Sequence, residues 1–198
     1  MYNLISGKLK LTNYAAKLCQ ALKGAGSSFA IVTSFYFQTV AAPASGLLFT
    51  ANLPGGATET AAQRASILSA MQKYGEDAPK EVALQLVTGT GSSFEVSGVY
   101  WGTTGEFQTA IDPFKQLLPS GTTFSTTESS YMGILVNLSG QSTLQVTLTG
   151  YNAHDTFFAK SIVSSQQYNS SALTPFFDYL LTEGVQVAGL VSLQAFPS

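Results

Sequence analysis

"EVALQLVTGTGSSFEVSGVYWG", residues Glu81 to Gly102, decides the fold. Side chains alternate across an extended chain, so Val82, Leu84 and Leu86 share one face while Ala83, Gln85 and Val87 share the other. Beyond a Gly/Ser turn the alternation resumes. Glu95, Ser97, Val99 and Trp101 fall on one face, and Phe94, Val96, Gly98 and Tyr100 on the other. Two such runs joined by a short turn predict an antiparallel strand pair.

Working outward, "SGLLFTANL" (Ser45 to Leu53) reads as a strand that Pro54-Gly55-Gly56 breaks. "TTFSTTES" (Thr122 to Ser129) and "VQVAGLVSLQAF" (Val185 to Phe196) read as further strands. Helical spacing fills the intervals. Thr58 to Tyr74 is amphipathic, with Ala61, Ala65, Leu68 and Met71 on one face and Gly75 as its stop. Phe107, Ile111, Phe114 and Leu118 mark a helix that Asp112-Pro113 bends or delays and Pro119-Ser120-Gly121 ends. Tyr131 to Leu138 is a short helix or a buried apolar turn. Ser170 or Ser171 caps a helix through Leu173, Phe176, Phe177, Leu180 and Leu181, ending near Gly184. Near the N-terminus, "TNYAAKLCQALKG" predicts a helix and "FAIVTSFYFQT" a strand. Strand character also recurs in "STLQVTLTGYNAHDTFFAKSIV". Strand pairs separated by single helices predict an α+β fold: a multistranded antiparallel sheet with helices packed on one face.

The 198 residues are 45% hydrophobic and only 10% charged, with a formal net charge of -2. A chain without a basic cluster does not bind nucleic acid by neutralising phosphates. No apolar run approaches the roughly 18 residues of a membrane span. Cys19 is the one cysteine, so no internal disulfide forms. With the one histidine, His154, it cannot make a zinc site. Cys19 sits at an apolar helix position and reads as a small hydrophobe, while His154 reads as a polar residue before a strand and Lys160 as a solvated strand residue. Asn137-Leu138-Ser139 and Asn169-Ser170-Ser171 are glycosylation sequons, meaningful only in a secreted chain. "MYNLISGKLKL" at the N-terminus lacks the apolar run of a secretory signal.

Gly24-Ala25-Gly26-Ser27-Ser28-Phe29 has the opening of a dinucleotide fingerprint. That motif needs strand, glycines, then helix, so that the helix N-terminus meets the pyrophosphate. Here a helix precedes the glycines, a strand follows them, and Phe29 occupies the third glycine position. The fingerprint reading fails. What the residues leave open is a helix-to-strand turn using positive φ, or a loop whose backbone amides hold a phosphate.

"ALKGAGSSFAIVTSFYFQT" (Ala21 to Thr39) resembles the segment "ALRGAGSSFGIVTxFxFxT" of FAD-linked oxidases of the berberine-bridge and oligosaccharide-oxidase type, in the vanillyl-alcohol-oxidase superfamily. "SGVYWG" (Ser97 to Gly102) is similar to their "EGVYYG". "DTFFAKSIVSSQQYNSSALTPFFDYL" (Asp155 to Leu180) is similar to their "ETFYAKSLVTPxxLSxxALxxFFxYL". The resemblance runs from about Thr12 to Phe196. It implies that residues 1–40 are the end of an FAD-binding domain and 41–198 a substrate-binding domain, whose sheet lies over the isoalloxazine ring. It places Gly24, Gly26, Ser27, Ser28 and Ile31 near FAD. Ala30 stands where the family carries glycine, which weakens the case for FAD binding by this chain alone.

The family's flavin-attaching His and Cys and its tyrosine base fall in segments outside the resemblance, so no residue here is assigned a catalytic role. The implied function is the substrate-binding portion of a secreted, fungal-type oxidase. Its sugar or other alcohol substrate would give a proton to a base elsewhere and a hydride to the flavin. The chain alone is expected to be inactive as an oxidase. The missing flavin-domain segments are its implied partners. The alternatives are a free-standing carbohydrate-binding module and a non-functional gene fragment. Within the strand pair, Gln85, Glu95, Tyr100 and Trp101 are the candidate sugar contacts, since aromatic rings beside amides and carboxylates suit sugar faces and hydroxyls. The competing reading packs Tyr100 and Trp101 under the helices and leaves Gln85 simply exposed.

Overall fold

The computed structural model describes residues 38–39, 41–55, 59–89, 94–144 and 166–182, and the backbone of 188–194. The chain divides into two compact units, Met1–Ala41 and Ala42–Ser198. Every element named below belongs to the second unit. The predicted N-terminal helix and strand, and the predicted strands between residues 145 and 165, lie outside the described residues.

The described elements are β1 (Ser45–Asn52), α1 (Ala61–Asp77), β2 (Val82–Gly89), β3 (Phe94–Tyr100), α2 (Thr104–Lys115), β4 (Thr123–Ser130), α3 (Tyr131–Leu138), α4 (Ser170–Thr182) and β5 (Ala188–Gln194). The strands form a five-stranded sheet in the order β4-β1-β3-β2-β5. Every neighbouring pair is antiparallel. The fold is α+β, as the alternating strand pairs predict.

Caps explain where the helices start. Thr60 Oγ1 accepts the Gln63 N–H while Gln63 Oε1 accepts the Thr60 N–H at 2.8 Å, a reciprocal capping box. Thr103 and Glu106 repeat the device at α2. Gly75, the expected stop of α1, lies inside the helix, which runs on to Asp77 before Ala78-Pro79. A mid-helix glycine costs about 1 kcal/mol relative to alanine. The buried neighbours Met71 and Tyr74 offset that cost, and Tyr74 Oη donates to Ala110 O at 2.9 Å. What ends α1 is Pro79, since the residue before a proline is pushed out of the α region. Pro113 stands inside α2 without ending it.

Two further expectations for α4 are corrected. Its cap is Asn169, whose Oδ1 accepts the Ala172 N–H at 3.0 Å; Ser170 and Ser171 do not take that role. Its buried residues are Leu173, Phe177 and Leu180, while Phe176 is 46% exposed. The single apolar stripe of α4 is narrower than the run of apolar residues suggested.

The core lies between the sheet and helices α1, α2 and α4. Phe49 of β1 packs on Phe107 of α2 with centroids 5.0 Å apart, and Tyr100 meets the same Phe107 at 5.7 Å. Phe94 packs edge-on against Phe177 of α4. A fully buried phenylalanine contributes about 2–3 kcal/mol by area. Gly98 is required in this layer. A Cβ there would stand 2.2 Å from Ala83 O and 2.5 Å from Phe49 Cζ. Arg64 of α1 is fully buried, its guanidinium 4.9 Å from the Phe94 ring centroid. Burial pulls its pKa down and the Glu59 carboxylate opposes that shift.

Candidate functional site

The alternation that sends Leu47, Phe49, Leu84 and Val96 toward the helices sends the intervening residues to the opposite, outer face. There Leu48, Thr50, Ala83, Gln85 and Val87 are half-buried and Glu95 is exposed. Helix α3 flanks this face. Its one fully buried residue is Ile134, and a Cβ on Gly46 would lie 3.1 Å from Ile134 Cδ1 and 2.8 Å from Trp101 Cε3. Ser130 fixes the start of α3 by accepting the Gly133 N–H at 3.1 Å. Between α3 and the strands lies a hollow of about 350 Å³, lined by Thr50, Gln85, Glu95, Ser97, Asn137 and Leu138 among others.

Register arranges the polar groups of this face in a row. Ser125 of β4 stands opposite Thr50 of β1. Thr50 stands opposite Ser97 of β3. Ser97 in turn stands opposite Gln85 of β2, and Gln85 opposite position 192 of β5. Strands lie about 4.8 Å apart, so the row from Ser125 to Gln85 spans roughly 14 Å. Gln85 Nε2 donates to Ser97 Oγ at 3.2 Å. That bond orients the amide and leaves Gln85 Oε1, its second N–H and the Ser97 hydroxyl hydrogen for another partner. At the far edge Asn52 Nδ2 donates to Ser125 Oγ at 2.8 Å. The row on one side is more apolar, with Leu48, Val99 and Ala83 in register; on the other side Glu95 stands opposite Val87, and Asn52 opposite Thr123.

Of the four candidate sugar contacts, Gln85 and Glu95 stand together on the outer face. Trp101 follows on the same side of β3, beside α3, its ring 5.3 Å from that of Tyr131. It lies four residues beyond Ser97, roughly 13 Å along the strand. Tyr100 does not join them. It is 6% exposed on the helix side, against Phe107. Burial pushes its phenol pKa up, and the Glu106 and Glu81 carboxylates push the same way. Tyr100 lines a separate hollow of about 640 Å³ with Tyr74, Lys73, Glu106 and Pro113. Tyr74 is buried there too, and burial raises its phenol to about 12. Both residues are almost wholly removed from water. Gly24, Gly26, Ser27, Ser28 and Ile31, the positions assigned to FAD, lie outside the described residues, as do Cys19, His154 and Lys160.

Thr50, Ser97 and Ser125 were not among the candidates. Each is a small hydroxyl in a strand, and only pairing across the sheet joins residues so far apart in sequence. Among the described residues no group of three or more His, Cys, Asp or Glu could hold a metal ion. No described helix is long and apolar enough to cross a membrane.

No protein-family model matches the chain. Xylooligosaccharide oxidase of Thermothelomyces thermophilus is 32% identical over 145 residues, 73% of this chain and 29% of the relative. Chitooligosaccharide oxidase of Gibberella zeae is 29% identical over 144 residues, 72% of this chain and 28% of the relative. A solved chitooligosaccharide oxidase superposes with a TM-score of 0.69 at 25% identity, covering 86% of this chain and 35% of that one. The chain fits a fragment of the FAD-linked oligosaccharide oxidase family. It spans about three tenths of the length of the curated relatives it matches. The hollow on the outer face is lined by no lysine or arginine.

Proposed function

We propose that residues 41–198 bind the carbohydrate substrate of a secreted FAD-linked oxidase through the outer face of the sheet. Residues 1–40 close the FAD-binding domain of the same protein, and FAD is held by segments other than this face. One observation carries the reading: the Ser125, Thr50, Ser97 and Gln85 row crosses the strands in register, with Gln85 already oriented by Ser97.

Uncharged hydroxyl and amide groups exchange hydrogen bonds with sugar hydroxyls without the desolvation cost of a buried charge. The half-buried Leu48 and Ala83, on either side of the buried Val99, provide ground for the carbon-bound faces of a sugar ring. Glu95 on one side of the row and the Trp101–Tyr131 pair on the other extend the surface in opposite directions along β3. The names of the relatives, xylooligosaccharide and chitooligosaccharide oxidase, support an oligosaccharide as the ligand class. On this reading the isolated chain binds sugar and does not oxidise it.

The test is calorimetric titration of the chain with xylooligosaccharide and chitooligosaccharide, beside oxidation kinetics of the full-length gene product. A neutral hydrogen bond is worth about 0.5–1.5 kcal/mol. Gln85→Leu and Ser97→Ala are therefore expected to weaken binding and raise KM by about two- to tenfold, with kcat changing less. Folded variants with unchanged binding and KM would remove the outer face from the substrate site.

A further inference from the structure

We propose that Asn169 carries an N-linked glycan. The inference rests on the reading of this protein as secreted, and on three features of the sequon Asn169-Ser170-Ser171.

The side chain is arranged for it. Asn169 is exposed. Its Oδ1 accepts the Ser171 hydroxyl at 2.7 Å and the Ala172 N–H at 3.0 Å. Both bonds use the amide oxygen, and among the described residues Nδ2 makes none. Substituting Nδ2 therefore keeps the helix cap intact. The hydroxyl of the sequon's third residue meets the acceptor amide through a bond local to the tripeptide, which needs no tertiary partner and can form before the domain does.

The backbone around it is held at the surface. Gln72 of α1 brackets Tyr168, its Oε1 accepting the Tyr168 N–H at 2.8 Å and its Nε2 donating to Tyr168 O at 3.2 Å. Gln167 Nε2 donates to Glu76 Oε1 at 2.7 Å. The acceptor side chain thus leaves a fixed point on the surface.

The neighbouring surface also calls for a cover. Tyr168, Phe176 and Tyr179 are 43%, 46% and 50% exposed. Phe176 lies seven residues beyond Asn169, two turns along the same side of α4 and about 10 Å away. Exposed aromatics clustered on one helix face favour association, and a bulky solubilising sugar rooted at Asn169 would shield them.

The other sequon is exposed as well, but it differs in its local hydrogen bonding and its position. Asn137 lies in the last turn of α3, where Ser139 Oγ donates to Val136 O at 2.7 Å instead of to the asparagine. It also lines the hollow on the outer face. A glycan there would stand over the proposed sugar-binding row.

In the reaction, Asn169 Nδ2 bonds to the anomeric carbon of an oligosaccharide carried on a polyprenyl diphosphate. The bond from that carbon to the diphosphate oxygen breaks, the lipid diphosphate leaves with its electron pair, and the amide nitrogen gives up one proton. No oxidation or reduction takes place. The co-reactant and its transferase belong to the secretory pathway.

To separate acceptor competence from the native protein's location, the chain would be sent through a yeast secretory pathway with an added signal peptide. Retained and secreted material would both be mapped by mass spectrometry after endoglycosidase treatment that leaves one N-acetylglucosamine on each occupied asparagine. The expected result is that sugar at Asn169, lost in Ser171→Ala and kept in Ser171→Thr. Asn169→Asp, which preserves a capping oxygen, should lack the sugar, fold, and associate at lower concentration than the glycosylated chain. Unmodified Asn169 in both pools would overturn the proposal. Sugar on Asn137 in the folded, secreted chain would instead count against the outer-face function and leave Asn169 unaffected.

Discussion

One residue step along a strand separates two chemical worlds in this domain. On the helix side, Phe49, Leu86, Val96 and Phe107 are almost wholly removed from water. On the outer side, Thr50, Gln85 and Glu95 keep part of their surface. The helix side is where stability resides, since packed aromatic and aliphatic groups lose contacts and gain cavities when cut. The outer side is under less packing constraint, which leaves it free to carry ligand-facing chemistry. The comparison makes a simple demand: substitutions on the two faces of the same strands should fail in different assays.

The largest effect is expected from Phe107→Ala. The ring is fully buried and touches Phe49, Tyr100 and Phe124. Urea denaturation should show a loss of about 3–5 kcal/mol; a change as small as that of an outer-face variant would break the contrast. Gly98→Ala comes next, because its Cβ would meet the Ala83 carbonyl and the Phe49 ring. About 1–3 kcal/mol of overpacking is expected, read by the same titration.

Smaller still is Thr103→Ala, which removes the α2 capping box and should cost about 1 kcal/mol. This site also sharpens the comparison through pH. Hydrogen bonds from the Thr103 backbone and hydroxyl hold the Glu106 carboxyl below its ordinary value. A carboxyl depressed on folding adds stability above its unfolded pKa, and that stability fades as pH falls through the folded one. Acid titration of thermal stability should therefore be shallower in Glu106→Gln than in the parent, while Gln85→Leu should leave the acid limb unchanged. Gln85→Leu sits at the bottom of the stability scale, within about 0.5 kcal/mol. Its effect should appear in sugar affinity, and a large stability loss without an affinity change would reverse the assignment of the outer face.

Some of this is legible in the sequence alone. The alternation from Val82 to Tyr100 grouped Gln85 with Ala83 and Val87, and Glu95 with Ser97 and Val99, and the Gly/Ser turn paired the strands; which of those faces meets the helices it left open. The same alternation set Tyr100 and Trp101 on opposite sides, yet residue type alone suggested both as sugar contacts. Only packing against Phe107 shows that Tyr100 belongs to the core. Local rules also misjudged competition between signals. Gly75 looked like a helix stop, but burial of Tyr74 and Met71 outweighs its entropic cost and Pro79 supplies the stop. Ser170 and Ser171 looked like caps, but Asn169 precedes them with a better placed oxygen.

The sequence by itself determined which residues share a face of each strand and that the strands pair antiparallel with helices between them, because both follow from periods of two and of 3.6 residues acting over short distances. Tertiary structure decided that Ser125, Thr50, Ser97 and Gln85 form one row, that α3 flanks it, and that Phe176 faces water. Those facts depend on cross-strand register and on which helix stripe meets the sheet. Both are settled by contacts between segments many residues apart, which no local pattern encodes.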